Sequence, residues 1–304
     1  MLSRLVPTLL LVAACGVALA AAPPDPLVRP EGLEPVSAHV QIIPDDSVPL
    51  VPNVGFVIGS RAVLVVDTGL GPRNGKTVLD VATRLAPGRQ LYLVTTHVHP
   101  EHDLGAQAFP ASAQLIRSTD QVKDIAEFGL ATAEQFSKRS PLTAELLQGA
   151  TFRKADIVFD KERRLDLGGV SVRIIAMGAN HTAGDTAVFV EPDRVLFSGD
   201  VTMRGQPAFA SPHSSLSRWL TSLDRFDGLK PLLIVPSHGK TGDATLIGGY
   251  RTYLTRIRDE TAAQKRQGKG VEEAVQAVTA AMSPSYPDAG RLGGAVRTAY
   301  KEAP

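Results

Sequence analysis

Residues 95–103 read TTHVHPEHD and place three histidines and two carboxylates within nine positions. Imidazole and carboxylate groups hold zinc where thiolates are lacking, and Cys15 is the only cysteine in the chain. His97 and His99 stand two apart. On extended chain that spacing sends both side chains to one side, whereas on a helix the positions that meet are i and i+4. Pro100 ends the extended run, so Glu101 and His102 come round a turn and can face a second point close by. Two facing ligand sets in one cluster are what a two-metal site requires.

Three more metal-seeking residues occur farther on, each directly after an apolar run: His181 in GANHTAGD, Asp200 closing LFSGD, and His238 in VPSHG. Four strand ends thus deliver five histidines and two carboxylates, and sites commonly form along one such edge of a sheet. Of the other histidines, His39 lies on an early strand and reads as structural. His213, in the loop before SSLSRWL, is a candidate substrate contact, as is Arg204, which follows Asp200 and can pair with a substrate carboxylate. Asp103 reads as the N-cap of a short helix at LGAQAF. Two other motifs fail. HGKTGD lacks the glycine that a phosphate loop needs where Ile234 stands, and GLGPRNG has the wrong glycine spacing for a dinucleotide fingerprint.

The elements that must position these residues alternate between strand and helix. AHVQIIP, NVGFVIG and RAVLVVDTG read as hairpin-linked strands, KTVLDVATRLA as a helix with Val78, Val81 and Leu85 on one stripe, and LYLVTT as a buried strand feeding the histidine cluster. Residues 118–150 are helical and polar. VSVRIIAMG and TAVFVEPDRVLFSGD return to strands, SLSRWLTSLDRF is an amphipathic helix, LLIVPSHG is a last strand, and helices follow from about 243. This mixture indicates an α/β fold of mixed sheets covered by helices.

The first twenty residues, MLSRLVPTLLLVAACGVALA, have the form of a secretory signal peptide cleaved after Ala20. The alternative is lipoprotein processing at Cys15, since Val12-Ala13-Ala14-Cys15 resembles a lipobox. The expected product is exported and periplasmic, touching a membrane only if lipidated at Cys15. Residues 21–35 are Pro-rich and predicted to be an exposed lead-in, and residues 36–304 a single domain. The full chain has 32 basic and 31 acidic residues, which leaves no electrostatic footprint for nucleic acid. The expected partner is a small-molecule substrate.

HVHPEH, GANHTAGD, SGD and PSHG, preceded by VVDTG, resemble the ordered motifs of the metallo-β-lactamase superfamily over about residues 36–242. The resemblance implies a four-layer αβ/βα sandwich with two zinc ions in the cleft between its halves. It implies that His97, His99 and His181 hold the first zinc, that Glu101, His102 and His238 hold the second, and that Asp200 bridges them. Glu101 and Asp200, as the carboxylates at the reacting centre, would share in catalysis. Asp67 would orient a ligand from behind.

The family pattern has Asp where this chain has Glu101. One added methylene shifts the carboxylate by about 1.5 Å, whereas ligand distances tolerate only about 0.2 Å. Either the loop adjusts or the second zinc is held differently. The implied chemistry is attack by a metal-bound hydroxide on an ester, lactone or lactam of a small molecule. Asp200 resembles the lactonase, glyoxalase II and phosphodiesterase branches, and the cysteine-bound second zinc of one β-lactamase branch is excluded. A β-lactamase proper, an accessory of periplasmic quinoprotein oxidation and a non-catalytic metal-binding protein are the alternatives.

Overall fold

The computed structural model describes residues 24–204, 209–286 and 291–304; the leader and Cys15 lie outside them. The strands are β1 (Glu34–Pro35), β2 (Val40–Ile43), β3 (Val54–Ile58), β4 (Ala62–Val66), β5 (Gln90–Val94), β6 (Gln114–Ser118), β7 (Ile157–Phe159), β8 (Glu162–Asp166), β9 (Ser171–Gly178), β10 (Asp185–Val190), β11 (Val195–Gly199) and β12 (Leu233–Pro236). The helices are α1 (Gly71–Leu85), α2 (Pro100–Asp103), α3 (Thr119–Asp124), α4 (Leu130–Ser137), α5 (Pro141–Leu146), α6 (Leu216–Leu229), α7 (Thr245–Arg266), α8 (Val271–Met282) and α9 (Leu292–Glu302). A π-helical turn over Ile125–Gly129 joins α3 to α4.

Two sheets form among the described residues. The first runs β1 to β7 in chain order, antiparallel from β1 to β4 and parallel from β4 to β7. The second has the order β12-β11-β10-β9-β8, with only the β11–β12 pair parallel. Mixed sheets are therefore present, as the hairpin-linked strands predict.

The apolar residues sort these sheets into four layers. β4 reads AVLVV, and successive side chains of a strand point to opposite faces. Val63 and Val65 pack with Val78, Val81 and Ala82 of α1, while Ala62, Leu64 and Val66 meet Val188, Val190 and Val195 of the other sheet. The outer face of the second sheet, with Ile175, Phe189 and Ile234, is covered by α6 to α9 through Trp219, Leu254, Val278 and Val296. The order is helix, sheet, sheet, helix.

Three readings of the sequence need correction. The Pro-rich lead-in is not simply exposed: Val28 is buried in the α1 layer, its N–H donates to Asn74 Oδ1 at 2.8 Å, and β1 pairs with β2. The next concerns α1, which begins at Gly71, five residues before the predicted stretch, because Pro72 suits the first turn of a helix. Finally, a short 3-10 helix does follow Asp103, over Leu104–Ala108, but the Asp103 side chain does not cap it. It turns inward, accepting from Arg117 Nη2 at 2.6 Å and from Thr95 Oγ1 at 2.7 Å. A buried guanidinium outcompetes a backbone N–H for the carboxylate.

Candidate metal centre

Every candidate ligand follows the carboxyl end of a strand. Residues 95–99 continue from β5, His181 lies between β9 and β10, Asp200 directly follows β11, and His238 comes two residues after β12. Pro100 at the first helical position turns the chain after His99, so α2 presents Glu101 and His102 from a second direction. A close backbone approach holds this segment in place. A Cβ on Gly75 of α1 would fall 2.0 Å from the carbonyl oxygen of Gly105, and one on Gly105 would fall 2.0 Å from that of Thr68. Only glycine fits either place.

The geometry converges. His97, His99 and His181 offer ligand atoms within 4.8 Å of one another, as do His97, His102 and Asp200, and also Glu101, His102 and His238. His97 Nε2 lies 3.1 Å from His99 Nδ1, which lies 3.2 Å from His181 Nε2. His181 Nε2 is 3.3 Å from Asp200 Oδ2, and His102 Nε2 is 3.9 Å from Glu101 Oε1. All seven residues predicted as ligands thus enter one cluster, six of them buried and His238 half-buried.

In four of the five histidines the ring nitrogen facing away from the cluster is occupied, which orients the imidazole. His102 Nδ1 meets Asp67 Oδ2 at 2.9 Å, His97 Nδ1 meets Thr96 Oγ1 at 3.0 Å, and His238 Nδ1 meets the Val51 carbonyl at 3.0 Å. The Phe209 carbonyl takes His181 Nδ1. Asp67 has φ +62°, the left-handed turn expected of an Asp before Thr-Gly, and also accepts from Thr96 N–H and Ser237 Oγ. The turn reading and the orienting reading therefore hold together.

Charge is distributed unevenly. Burial and the neighbouring histidines hold His97 and His99 well below the usual imidazole range. Burial likewise lowers His181 to about 4, against the opposing pull of Asp200. His102 is different: burial disfavours its charge, but Asp67, Glu101 and Asp200 outweigh that and raise it to about 9. Burial pushes Asp200 up, yet the facing histidines bring it below the ordinary carboxylate range. The cluster thus offers neutral imidazoles at His97, His99 and His181 and an ionised carboxylate at Asp200, the forms that bind cations, while His102 must give up a proton to bind one.

Whether the residues fit a metal is tested by what they leave unsatisfied. Glu101 Oε2, His102 Nε2 and Asp200 Oδ1 are buried and have no hydrogen-bond partner among the described residues. Buried polar atoms without partners are costly, and cations among these nitrogen and oxygen donors would satisfy all three. The donor set fits.

A cleft of about 500 Å³ opens above the cluster, walled by Val48, Leu50, Phe136 and Phe209 and carrying Arg139 and Arg291. A side cavity of about 430 Å³ shares His99, Phe136 and Phe209 with it and adds Val98, Phe128 and Ala131. His213 lines this side cavity, stacked 3.6 Å from the Phe128 ring. Arg204 does not line the cleft; it is exposed, and its Nη2 donates to the Thr241 carbonyl at 3.4 Å. His39 Nδ1 lies 2.6 Å from Asp193, consistent with a structural part. Sequence reasoning missed Asn53, whose side chain donates to the Pro236 and Gly239 carbonyls, at 2.8 Å each, and so pins the His238 loop. It also missed Asp124, which accepts from the N–H groups of Ala183 and Gly184 beside His181.

Comparison with known proteins agrees with this geometry. Residues 48–238 match the model of the metallo-beta-lactamase superfamily. The acyl-coenzyme A thioesterase MBLAC2 of Gallus gallus is 29% identical over 185 residues, 57% of this chain and 65% of its own length. The alpha subunit of 2,4-dinitroanisole O-demethylase from Nocardioides sp. is 24% identical, over 67% of this chain and 56% of its own. The chain therefore spans under two thirds of the length of these relatives. Among solved structures, a sec-alkylsulfatase from Pseudomonas sp. superposes with TM-score 0.66 and 14% identity, over 89% of this chain and 50% of its own. A metallo-beta-lactamase from Pontibacter korlensis gives TM-score 0.58 and 19% identity, over 73% and 98%. At such identities the likeness is one of fold.

Proposed function

Since the chain belongs to the metallo-beta-lactamase superfamily, we propose that it is a two-zinc hydrolase acting on the acyl bond of a small ester, thioester, lactone or lactam. The observation that carries this reading is the set of three overlapping ligand groups around buried atoms without hydrogen-bond partners among the described residues. The thioesterase name of MBLAC2 supports an acyl bond, because thioester hydrolysis is the same transfer of an acyl group to water.

When bound, the metals supply Lewis acidity to the scissile carbonyl and lower the pKa of the nucleophilic water. The chain's own residues do the rest. His97, His99 and His181 would hold one ion and Glu101, His102 and His238 the other, with Asp200 available to both. Asp67 fixes the ring of His102 from behind. Asp200, ionised and facing the cluster, would present Oδ1 to the ions and help orient the water held there toward the scissile carbonyl. Phe136, Phe209, Val48 and Leu50 limit water around the carbonyl, which strengthens every charge interaction there. The side cavity beyond His99, walled by Val98, Phe128 and Ala131, takes the acyl chain.

The test is metal analysis of purified protein with turnover on chromogenic esters, thioesters, lactones and cephalosporins. Hydrolysis that is lost on chelation and restored by zinc is expected. Protein without zinc, and without activity on adding it, would refute the reading. A cephalosporin as the best substrate would make it a β-lactamase instead.

A further inference from the structure

The cleft carries two guanidinium groups that the ligand set does not use. Arg139 follows α4, and its guanidinium carbon lies 3.7 Å from the centre of the Phe136 ring. Arg291 directly precedes α9 and lines the same cleft. Glu101 attracts Arg139 and Arg291 repels it, while Arg291 also acts on Asp200 and His181, so both charges bear directly on the cluster.

Among the described residues, three carboxylates line the same cleft: Asp45, Glu101 and Asp200. Asp45 is engaged with backbone, accepting from Ser47 N–H at 3.1 Å and Gly239 N–H at 2.8 Å. Glu101 and Asp200 face the cluster. Two divalent ions there would outweigh these three carboxylates before either arginine is counted. A cleft charged in this way is built for an anion. Arginine also presents a planar fork that matches the oxygens of carboxylate, phosphate or sulfate.

We propose that the cleft selects acyl substrates bearing an oxyanion group, held between Arg139 and Arg291 while the scissile carbonyl lies over Asp200 and His181. This rests on the hydrolase reading above and adds to it a substrate class. Arg139 and Arg291 are specificity residues that grip the part of the substrate that does not react.

The experiment uses the zinc-loaded full chain and two nearly isosteric esters: the 4-nitrophenyl monoester of glutarate, and the same compound with its free carboxylate methylated. Wild type should prefer the charged ester in kcat/KM. Arg139→Gln and Arg291→Gln should each lower the charged-to-neutral ratio by about 10- to 100-fold, the span of one charge-assisted hydrogen bond. Arg139→Lys should recover part of that ratio. A wild type indifferent to charge, or variants losing both esters equally, would overturn the proposal.

A binding arm separates this from failure of the hydrolase reading. Glutarate, phosphate, sulfate and neutral glutaramide are titrated into the same proteins by calorimetry, with zinc content measured in each. Oxyanion binding that weakens in both glutamine variants at full zinc occupancy supports the proposal even if neither ester is cleaved, and the tightest of the three names the oxyanion. Binding that is absent, unaltered in the variants, or lost only together with zinc overturns it.

Discussion

Replacing Arg117 by Met should destabilise the protein far more than the loss of an ordinary ion pair. Arg117 is 2% exposed and Asp103 fully buried. The guanidinium donates to both carboxylate oxygens, at 2.6 and 2.7 Å from Nη2 and 3.2 Å from Nε, and Nη1 reaches the Arg153 carbonyl. With Met at 117, the buried carboxylate keeps only the hydroxyl of Thr95. Breaking a buried pair from one side costs about 3–5 kcal/mol, because a charge is left without compensation. That is a large part of the ~5–15 kcal/mol by which domains are stable. Adding Asp103→Asn removes the stranded charge, so the double variant should lose well under the sum of the two single losses. Urea unfolding of zinc-loaded protein, followed through the fluorescence of Trp219, measures this; it is the only tryptophan and is fully buried. A loss below about 1 kcal/mol, the range of exposed pairs, or strict additivity in the double variant would refute the reasoning.

Other outcomes follow from the same geometry. Glu101→Asp should change affinity for the second zinc by at least the ~10- to 100-fold that orienting contacts alone command; equal titrations would mean that the loop accommodates Glu fully. His97→Ala, which enters two of the three ligand groups, should abolish tight zinc binding and turnover, and a variant that keeps both would exclude it as a ligand. Ala131→Trp should shorten the longest acyl chain cleaved without loss on acetyl esters, and an unchanged chain-length profile would place the acyl group elsewhere. We propose that the leader directs export, so mass spectrometry of the mature chain should find Ala21 as its first residue; lipid on Cys15 would make it membrane-anchored.

The histidine cluster was legible because its residues are close in sequence and of a type that metals demand. The strands around it were legible because they are apolar and punctuated. β6 was not: QLIRS is short, opens on a polar residue, and buries an arginine where pattern reading expects an aliphatic side chain. Missing β6 hid the partner of Asp103 and led to the cap reading. Arg139 and Arg291 were illegible for another reason. They lie in polar, helical stretches where arginine is ordinarily solvated, and only the folded chain brings them over Glu101 and Asp200. Asn53 acts across 183 residues on the Pro236 carbonyl, a distance no local pattern spans.

The division of ligands between the two sheets has a consequence for how the protein is made. His97, His99, Glu101 and His102 follow β5 of the first sheet, whereas His181, Asp200 and His238 follow strands of the second. On the proposed assignment, neither half owns a complete set for either ion. An N-terminal portion emerging during synthesis can therefore offer only a partial grip, and full affinity arises when the halves dock and bury the valines between them. Metal capture is then a late step in folding. Once captured, an ion that binds only the docked form adds about 4 kcal/mol to its stability at a thousandfold excess over its dissociation constant. On the proposed reading the ion would work as a clasp as well as a reagent, and a shortage of metal where folding finishes would leave two halves that can come apart.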